Sequence, residues 1–318
     1  MKKKIALIFG ISGQDGAYLA HFLLSKNYNV IGITRNNSKR NLFRLYKLNI
    51  QNKVKIIKGE ATDYKFCYKI IKKKINEIYY LAGESSIVKS FEFPEISLLS
   101  NSVGILNILR VTKIKNKKIK IFNACSGQIF GNKKKNFFNI NSKIDPQSPY
   151  GVSKAAGYWF TKIYRENYNI FCCSGILFNH ESPLRSNEFV TKKIINGANQ
   201  ILSNKKKYLL LGDVNIYRDW GWAPEFVKAY WLMLQKKTAT DLIIGTGKVY
   251  SLKDFVREVF KIKNINIKKL RSDVSHLKRK LDIKGYKADI SKTSKVLKWK
   301  PKMSFKRIIE KMIKEELF

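Results

Sequence analysis

Between residues 4 and 22 the chain reads KIALIFGISGQDGAYLAHF. Few folds remain open once that stretch is placed. Lys4–Phe9 is a short apolar run of the kind a strand buried on both faces carries. Gly10, Gly13 and Gly16 follow at three-residue spacing, and Tyr18, Leu19, Phe22 and Leu23 then share one helical stripe. The pattern predicts strand, glycine turn, helix. Glycines there permit a tight turn, close backbone approach to a diphosphate, and close packing of helix on strand. The helix N-terminus offers free N–H groups and a partial positive charge to phosphates. A dinucleotide is therefore expected against Gly10, Ser12, Gly13, Gln14, Asp15 and Gly16.

The same alternation continues. A helix ending near Asn27 is followed by a second strand, VIGIT at 30–34, closed by Arg35. An acid at that strand end would bind the adenosine ribose hydroxyls, whereas a base suits a 2′-phosphate. Residues 36–45 read as a basic loop beside the cofactor. A third strand at 54–57 runs into GEATD, a helix is expected over 64–74, and a fourth strand at 77–81 runs into AGESS. Residues 101–113 read as helix, and a fifth strand at 119–124 enters CSGQIFG. Strands alternating with helices predict an α/β fold, a Rossmann-type doubly wound parallel sheet. Ligands then belong at the carboxyl ends of the strands. Those ends hold Gly10, Arg35, Glu60 and Ala61, Leu81, Ala82 and Gly83, and Ser126. Later signals are mixed: helices over 189–202, 224–236 and 304–317, and short strands in YLLLG and DLIIG. They suggest a smaller C-terminal substrate-binding lobe, 176–318, after a dinucleotide-binding domain, 1–175, with the chain free to cross between them.

The net charge is +40, from 63 Lys+Arg against 23 Asp+Glu. The lysines are scattered among Ile and Asn rather than gathered, so specific nucleic-acid binding is not expected; charge alone supports only non-specific contact. No apolar run is long enough for a membrane span. The four cysteines, Cys67, Cys125, Cys172 and Cys173, form no CxxC pair, which fits a reduced cytoplasm. The three histidines, His21, His180 and His276, lack metal-ligand spacing, and no metal is expected.

Tyr150 and Lys154 stand at i and i+4 in SPYGVSK, on one face of a helix. An ammonium beside a phenol favours the phenolate, so Tyr150 can serve as a base near neutrality. Ser126, at the end of the fifth strand, can hydrogen-bond the same substrate oxygen. The three make a hydride-transfer site, with Tyr150 taking the hydroxyl proton.

The glycine spacing is that of the short-chain dehydrogenase/reductase superfamily. Nearly the whole chain further resembles the GDP-mannose 4,6-dehydratase family. The segments carrying the likeness are GISGQDGAYLA, GITRNNS, SFEFPE, SPYGVSKAAGYW, ILFNHESPLRSNEFVTKKI, RDWGWAPEFVKAYWLMLQ and ADISKTSKVLKWKP. The resemblance implies a tightly held NADP(H), touched by Tyr150, Lys154 and His180. It implies GDP-mannose or a related GDP-sugar as substrate, with Asn179, Val190, Lys193, Arg218 and Arg279 on the GDP part and Glu84, Ser85 and Glu181 completing the site. Taken by themselves, Arg218 and Arg279 also fit surface ion pairs. It implies a homo-oligomer, dimer or tetramer, in which the loop at 36–44 reaches a neighbour. It implies oxidation at C4 of the hexose, loss of water across C5 and C6, and return of hydride to C6.

One position departs. The family's strand end reads Ser/Thr-x-Glu, a hydrophobic pair and Gly; here it reads Ser126-Gly127-Gln128-Ile129-Phe130-Gly131. An amide cannot take the C5 proton as a general base near neutral pH. C4 oxidation keeps all its groups, while elimination lacks its usual base. Glu84, where the family often carries an amide, is one replacement. The alternative is a C4 dehydrogenase, 4-epimerase or 4-keto reductase that does not dehydrate. A non-catalytic binding protein on the same fold is the other class, and the intact Tyr150/Lys154 pair argues against it.

Overall fold

The computed structural model describes residues 3–132, 137–272, 285 and 287–318. Arg279 lies outside the described residues. The chain opens with β1 (Ile5–Phe9) and, after the glycine turn, α1 (Gln14–Ser25). The turn out of α1 is made by Asn27, at φ 63°. Then come β2 (Asn29–Thr34), α2 (Phe43–Lys47), β3 (Lys55–Lys58), α3 (Tyr64–Ile70) and β4 (Glu77–Tyr80). The loop expected through residue 45 thus closes on a short helix, and α3 stops four residues before the expected end. Lys72–Lys74 give α3 no apolar face on which to continue. Next, α4 (Ile87–Glu92) and α5 (Pro94–Leu98) pass through a π-helical turn, Leu99–Val103, into α6 (Gly104–Lys115). β5 (Lys120–Ser126) runs into a 3-10 turn, Gly127–Phe130. After β6 (Phe137–Phe138) come α7 (Pro149–Tyr168) and β7 (Cys172–Leu177).

Beyond β7 the strands shorten. The elements there are β8 (Asn179–Glu181), α8 (Val190–Leu202), β9 (Leu209–Leu210), β10 (Tyr217–Arg218), β11 (Trp220–Trp222), α9 (Ala223–Leu234) and β12 (Leu242–Ile244). Three helices follow: α10 (Leu252–Ile262), α11 (Ser291–Leu297) and α12 (Phe305–Lys314). Helix α10 is fixed by a reciprocal cap between Ser251 and Asp254, a signature that stabilises a helix start by satisfying two orphan amides.

The central sheet has seven strands in the order β12-β7-β5-β4-β1-β2-β3, all paired in parallel. The order reverses between β1 and β4, so the crevice above those two carboxyl ends is the switch point where ligands bind in such folds. Alternate side chains feed two cores. Ala6, Ile8, Tyr79 and Phe122 pack towards α1 and α9. Leu7, Phe9, Ile78, Tyr80 and Ile121 pack towards α3 and α6. A third core, with Trp220 and Trp222 at its centre, joins α8, α10 and α12. The sheet is therefore built by both halves of the sequence: α9 covers one face of it and β12 adds its last strand beside β7.

Helix α7 is pinned along its length. Ser148 caps it by accepting from the Gly151 amide, and Pro149 starts it with a preset φ. Asn123 on β5 donates to the Gly157 carbonyl, 3.2 Å away. Near the far end, Arg165 grips Asp241 with two nitrogens at 2.9 and 2.6 Å. The same carboxylate accepts from the Ser174 amide at 2.7 Å. Asp241 immediately precedes β12, so helix, β7 and edge strand share one anchor.

Candidate active site

The glycine turn has the shape a dinucleotide requires. Gly10 has φ +87°, and a Cβ placed on it would lie 2.8 Å from the Leu81 carbonyl carbon and the Ala82 nitrogen. A Cβ on Gly16 would lie 2.2 Å from the Gly10 oxygen. Helix α1 begins at Gln14 with Gly13 as its cap and no side-chain bond to its first amides. Those amides face the switch point, open to a diphosphate.

Gln14 and Asp15 do not direct their side chains to such a ligand. The Gln14 amide donates to the His180 carbonyl at 3.2 Å and accepts from Ser182 at 2.7 Å. Asp15 meets His180 Nε2 at 2.8 Å and accepts from Tyr230 at 2.9 Å. Burial alone would raise its carboxyl, but His180, Gln14 and Tyr230 together hold it down at about 2. The side chains of Gln14 and Asp15 thus clasp β8 and α9, which leaves the backbone of the first turn of α1 as the part able to meet a ligand.

Arg35 directly follows β2, and it and Glu60 are exposed, while Ala61 is buried. Two arginines that the sequence reading had not singled out also flank the turn. Arg44 on α2 donates to the carbonyls of Ser12 and Leu184, at 2.9 and 2.7 Å. Burial, with Arg185 nearby, pushes its guanidinium below the ordinary value. Arg185 Nε stands 3.4 Å from Glu181, an ion pair without a hydrogen bond. The available signals were their places, Arg44 in the basic loop and Arg185 just after NHESP.

The candidate catalytic residues lie on β5, the turn after it and the first turns of α7. Ser126 is its last residue, and its hydroxyl accepts from the Gln128 amide at 3.2 Å. Gly151 packs on this turn so closely that a Cβ would be 2.9 Å from the Gln128 carbonyl. Tyr150, Ser126 and Gln128 are all buried. Lys154 Nζ donates to the Ala124 carbonyl at 2.7 Å and lies 5.8 Å from the centre of the Tyr150 ring. Desolvation brings its ammonium down to about 8, against the opposing pull of Asp15. Neighbouring Cys125 is pushed up to about 12 by burial, so it is no nucleophile at neutral pH.

The substrate-side candidates divide. Asn179 pairs with Trp220 between β8 and β11. Arg218, buried, precedes Trp220 by two residues and donates to the Tyr217 carbonyl at 2.8 Å. Between them Asp219 is fully buried, accepting from the Thr246 amide and hydroxyl, the Gly247 amide and the Ala288 amide. Burial pushes its carboxyl up to about 6 even so. Glu181 is turned inward, accepting from Thr191 at 2.7 Å. Val190 opens α8 half-buried and Lys193 on the same helix is exposed. Gly83 follows β4 at φ +141°, and Ser85 is exposed. Glu84 accepts from the Ser85 and Ser86 amides, both at 2.8 Å.

A seven-stranded parallel sheet, a glycine turn at its switch point and a Tyr-Lys pair on the helix beside β5 define an extended short-chain dehydrogenase/reductase of the Rossmann type. Solved structures of that fold superpose closely. A dTDP-glucose 4,6-dehydratase from Bacillus anthracis in complex with NAD matches with TM-score 0.85 and 19% identity, covering 98% of this chain and 96% of that one. A UDP-glucuronic acid 4-epimerase from Bacillus cereus in complex with NAD matches with TM-score 0.86 and 21% identity, covering 98% of each. The sequence relatives are more specific. The family model for GDP-mannose 4,6 dehydratase matches residues 7–312. The Drosophila melanogaster enzyme of that name is 35% identical across 99% of this chain and 87% of its own. The human protein is 35% identical across 98% and 91%, and that of Vibrio cholerae 34% across 100% and 94%. The chain belongs to the GDP-mannose 4,6-dehydratase family. Among the described residues no helix is long and apolar enough to cross a membrane.

The lowered Lys154 has a measurable consequence. Its folded value of about 8 lies below the ordinary 10.5, so between those limits the unfolded chain binds the proton more strongly. Lys154 therefore makes stability rise with pH across that window. In urea unfolding at about pH 8 and about pH 10, Lys154→Met should lack this part of the rise. An unchanged pH dependence in the variant would refute the assignment.

Proposed function

We propose that this chain is an enzyme that uses NADP(H) to act on GDP-mannose or a related GDP-sugar, beginning with oxidation at C4. Family membership supports the substrate class. The observation that carries the reaction is the placement of Ser126 at the end of β5 and of Tyr150 and Lys154 on the first turns of α7. A bound nicotinamide dinucleotide supplies the hydride acceptor. The residues do the rest. Ser126 fixes the C4 hydroxyl, and Tyr150 removes its proton as the C–H bond breaks. Lys154 keeps a positive charge near the phenol and is itself oriented by the Ala124 carbonyl. Asn179 and Arg218 suit the nucleotide diphosphate, since a guanidinium matches its oxygens. Family membership also supports a homo-oligomer, in which the basic loop at 36–44 would reach a neighbouring subunit.

Tyr150→Phe tests the base directly. It keeps the ring and should abolish dinucleotide reduction by GDP-mannose while leaving the circular dichroism unchanged. Reduction at the wild-type rate would remove Tyr150 from the mechanism.

The cofactor should carry a 2′-phosphate. Arg35 directly follows β2 with no acid beside it in TRNN, and an acid at that strand end is what repels the phosphate. Mass analysis of the nucleotide released on denaturation should find NADP(H), and chiefly NAD(H) would reject this.

Dehydration is the second step, and Gln128 bears on it. The side chain sits in the buried 3-10 turn directly after Ser126, where an amide has no basic oxygen to offer. Glu84 is held in its own turn, its Oε1 accepting from two backbone amides, bonds that favour the ionised form and weaken it as a base. We therefore favour slow elimination, with a 4-keto sugar nucleotide that keeps its C6 hydroxyl formed in no more than the amount of oxidised dinucleotide supplied, because that dinucleotide takes up the hydride. Gln128→Glu should then speed water loss by ~10²–10⁴-fold, the range for one placed acid–base group. Product mass after incubation with GDP-mannose reads this out. Fast dehydration by both the wild type and Glu84→Gln would show that another group takes the C5 proton.

A further inference from the structure

His180 sits on β8 with its ring stacked on Phe226, centroids 4.6 Å apart, and is buried. Each ring nitrogen faces an acceptor. Nδ1 is 2.8 Å from the Phe178 carbonyl oxygen. Nε2 is 3.0 and 2.8 Å from the two carboxylate oxygens of Asp15. A carbonyl cannot donate, and a neutral imidazole has one N–H only. A neutral ring would therefore turn a lone pair on one of these oxygens. Moving the proton to Asp15 would give an O–H···Nε2 bond instead, but the other bonds to Asp15 oppose it. The Asp15 carboxylate also accepts from Tyr230 at 2.9 Å and from Gln14 at 3.2 Å, and bonds of that kind favour the ionised form. Both protons belong on the ring.

The position gives the charge a use. Asp15 is the second residue of α1, so its carboxylate opposes the positive end of the helix that would receive a diphosphate. We propose that His180 is a standing imidazolium whose charge cancels Asp15 and keeps the first turn of α1 receptive to the phosphates of the dinucleotide. His180 is thus a positioning residue that acts through Asp15 and α1. The inference rests on the dinucleotide reading of the glycine turn. The other cations acting on this cluster are Lys154, whose ammonium feels Asp15, and Arg185, which acts on Tyr230.

Two measurements test it. The chain has three histidines, so ¹⁵N-histidine labelling gives few ring signals, and loss of one set in His180→Gln assigns His180. Both of its ring nitrogens should appear protonated at neutral pH in the wild type; a single neutral tautomer would overturn the proposal. Dinucleotide affinity is then compared by calorimetry in the wild type, His180→Gln, Asp15→Asn and the double variant. His180→Gln should bind about tenfold more weakly, within the usual range of a site-to-site coupling. The double variant should recover most of that loss, because the uncancelled carboxylate has gone. Equal binding by folded His180→Gln, or additive losses in the double variant, would overturn the role. No dinucleotide binding by the wild type would sink the dinucleotide reading and the role with it, while the nitrogen signals still decide the charge.

Discussion

Two backbones meet at the centre of this molecule with no room for a side chain. Gly10 lies against the end of β4 at Leu81 and Ala82, and Gly16 lies against Gly10 itself. That double approach lets α1 start directly above the reversal in strand order. From there the first turn of α1 is tied outward. Gln14 and Asp15 reach β8 and α9, and Arg44 ties α2 to the carbonyl of Ser12. The glycine turn is therefore the point at which sheet, lobe and basic loop are held in register. A side chain at Gly16 would disturb all three.

The second fixed body is α7. It carries Tyr150 and Lys154 in its first two turns and is anchored near its other end, through Arg165 and Asp241, to the edge of the sheet. Asn123 and the Lys154 ammonium bind it to β5 between those points. A long helix held in this way keeps Tyr150 and Lys154 at a set height above the strand ends, as the proposed hydride transfer would demand. Gly151 completes the fit by allowing the helix to rest on the turn that bears Gln128.

What could be read from the sequence was local and periodic. The glycine turn, the first five strands and the Tyr150/Lys154 pair each announce themselves within ten residues or so, by alternation, spacing or turn chemistry. The lobe did not. Its strands β8, β10 and β11 are two or three residues long, too short to show a period, and each forms only because a partner far along the chain is already placed. The same holds for charge. Asp15 and His180 are 165 residues apart, so nothing in GQDG or FNHE reveals that they pair. Asp219 gathers its donors from turns near residues 246 and 288. In RDWG it reads as an ordinary acid next to Arg218. Ser126, Tyr150 and Lys154 were legible because they sit on or beside long regular elements; the contacts around them, such as Asp15 with His180, join residues far apart in the chain.

If Gln128 slows elimination as proposed, it also changes what becomes of two electrons. In a dehydratase the hydride removed at C4 is spent within the same turnover, because water loss creates an acceptor further along the sugar. The enzyme is then redox-neutral without ever opening. Where elimination is slow, the only acceptor in the pocket is the carbon that was just oxidised, so each forward step tends to be undone. Such a site shuttles between two oxidation levels, and net product depends on how often the reduced dinucleotide escapes. On the proposed reading, one nitrogen in place of an oxygen would make cofactor release the quantity that governs output.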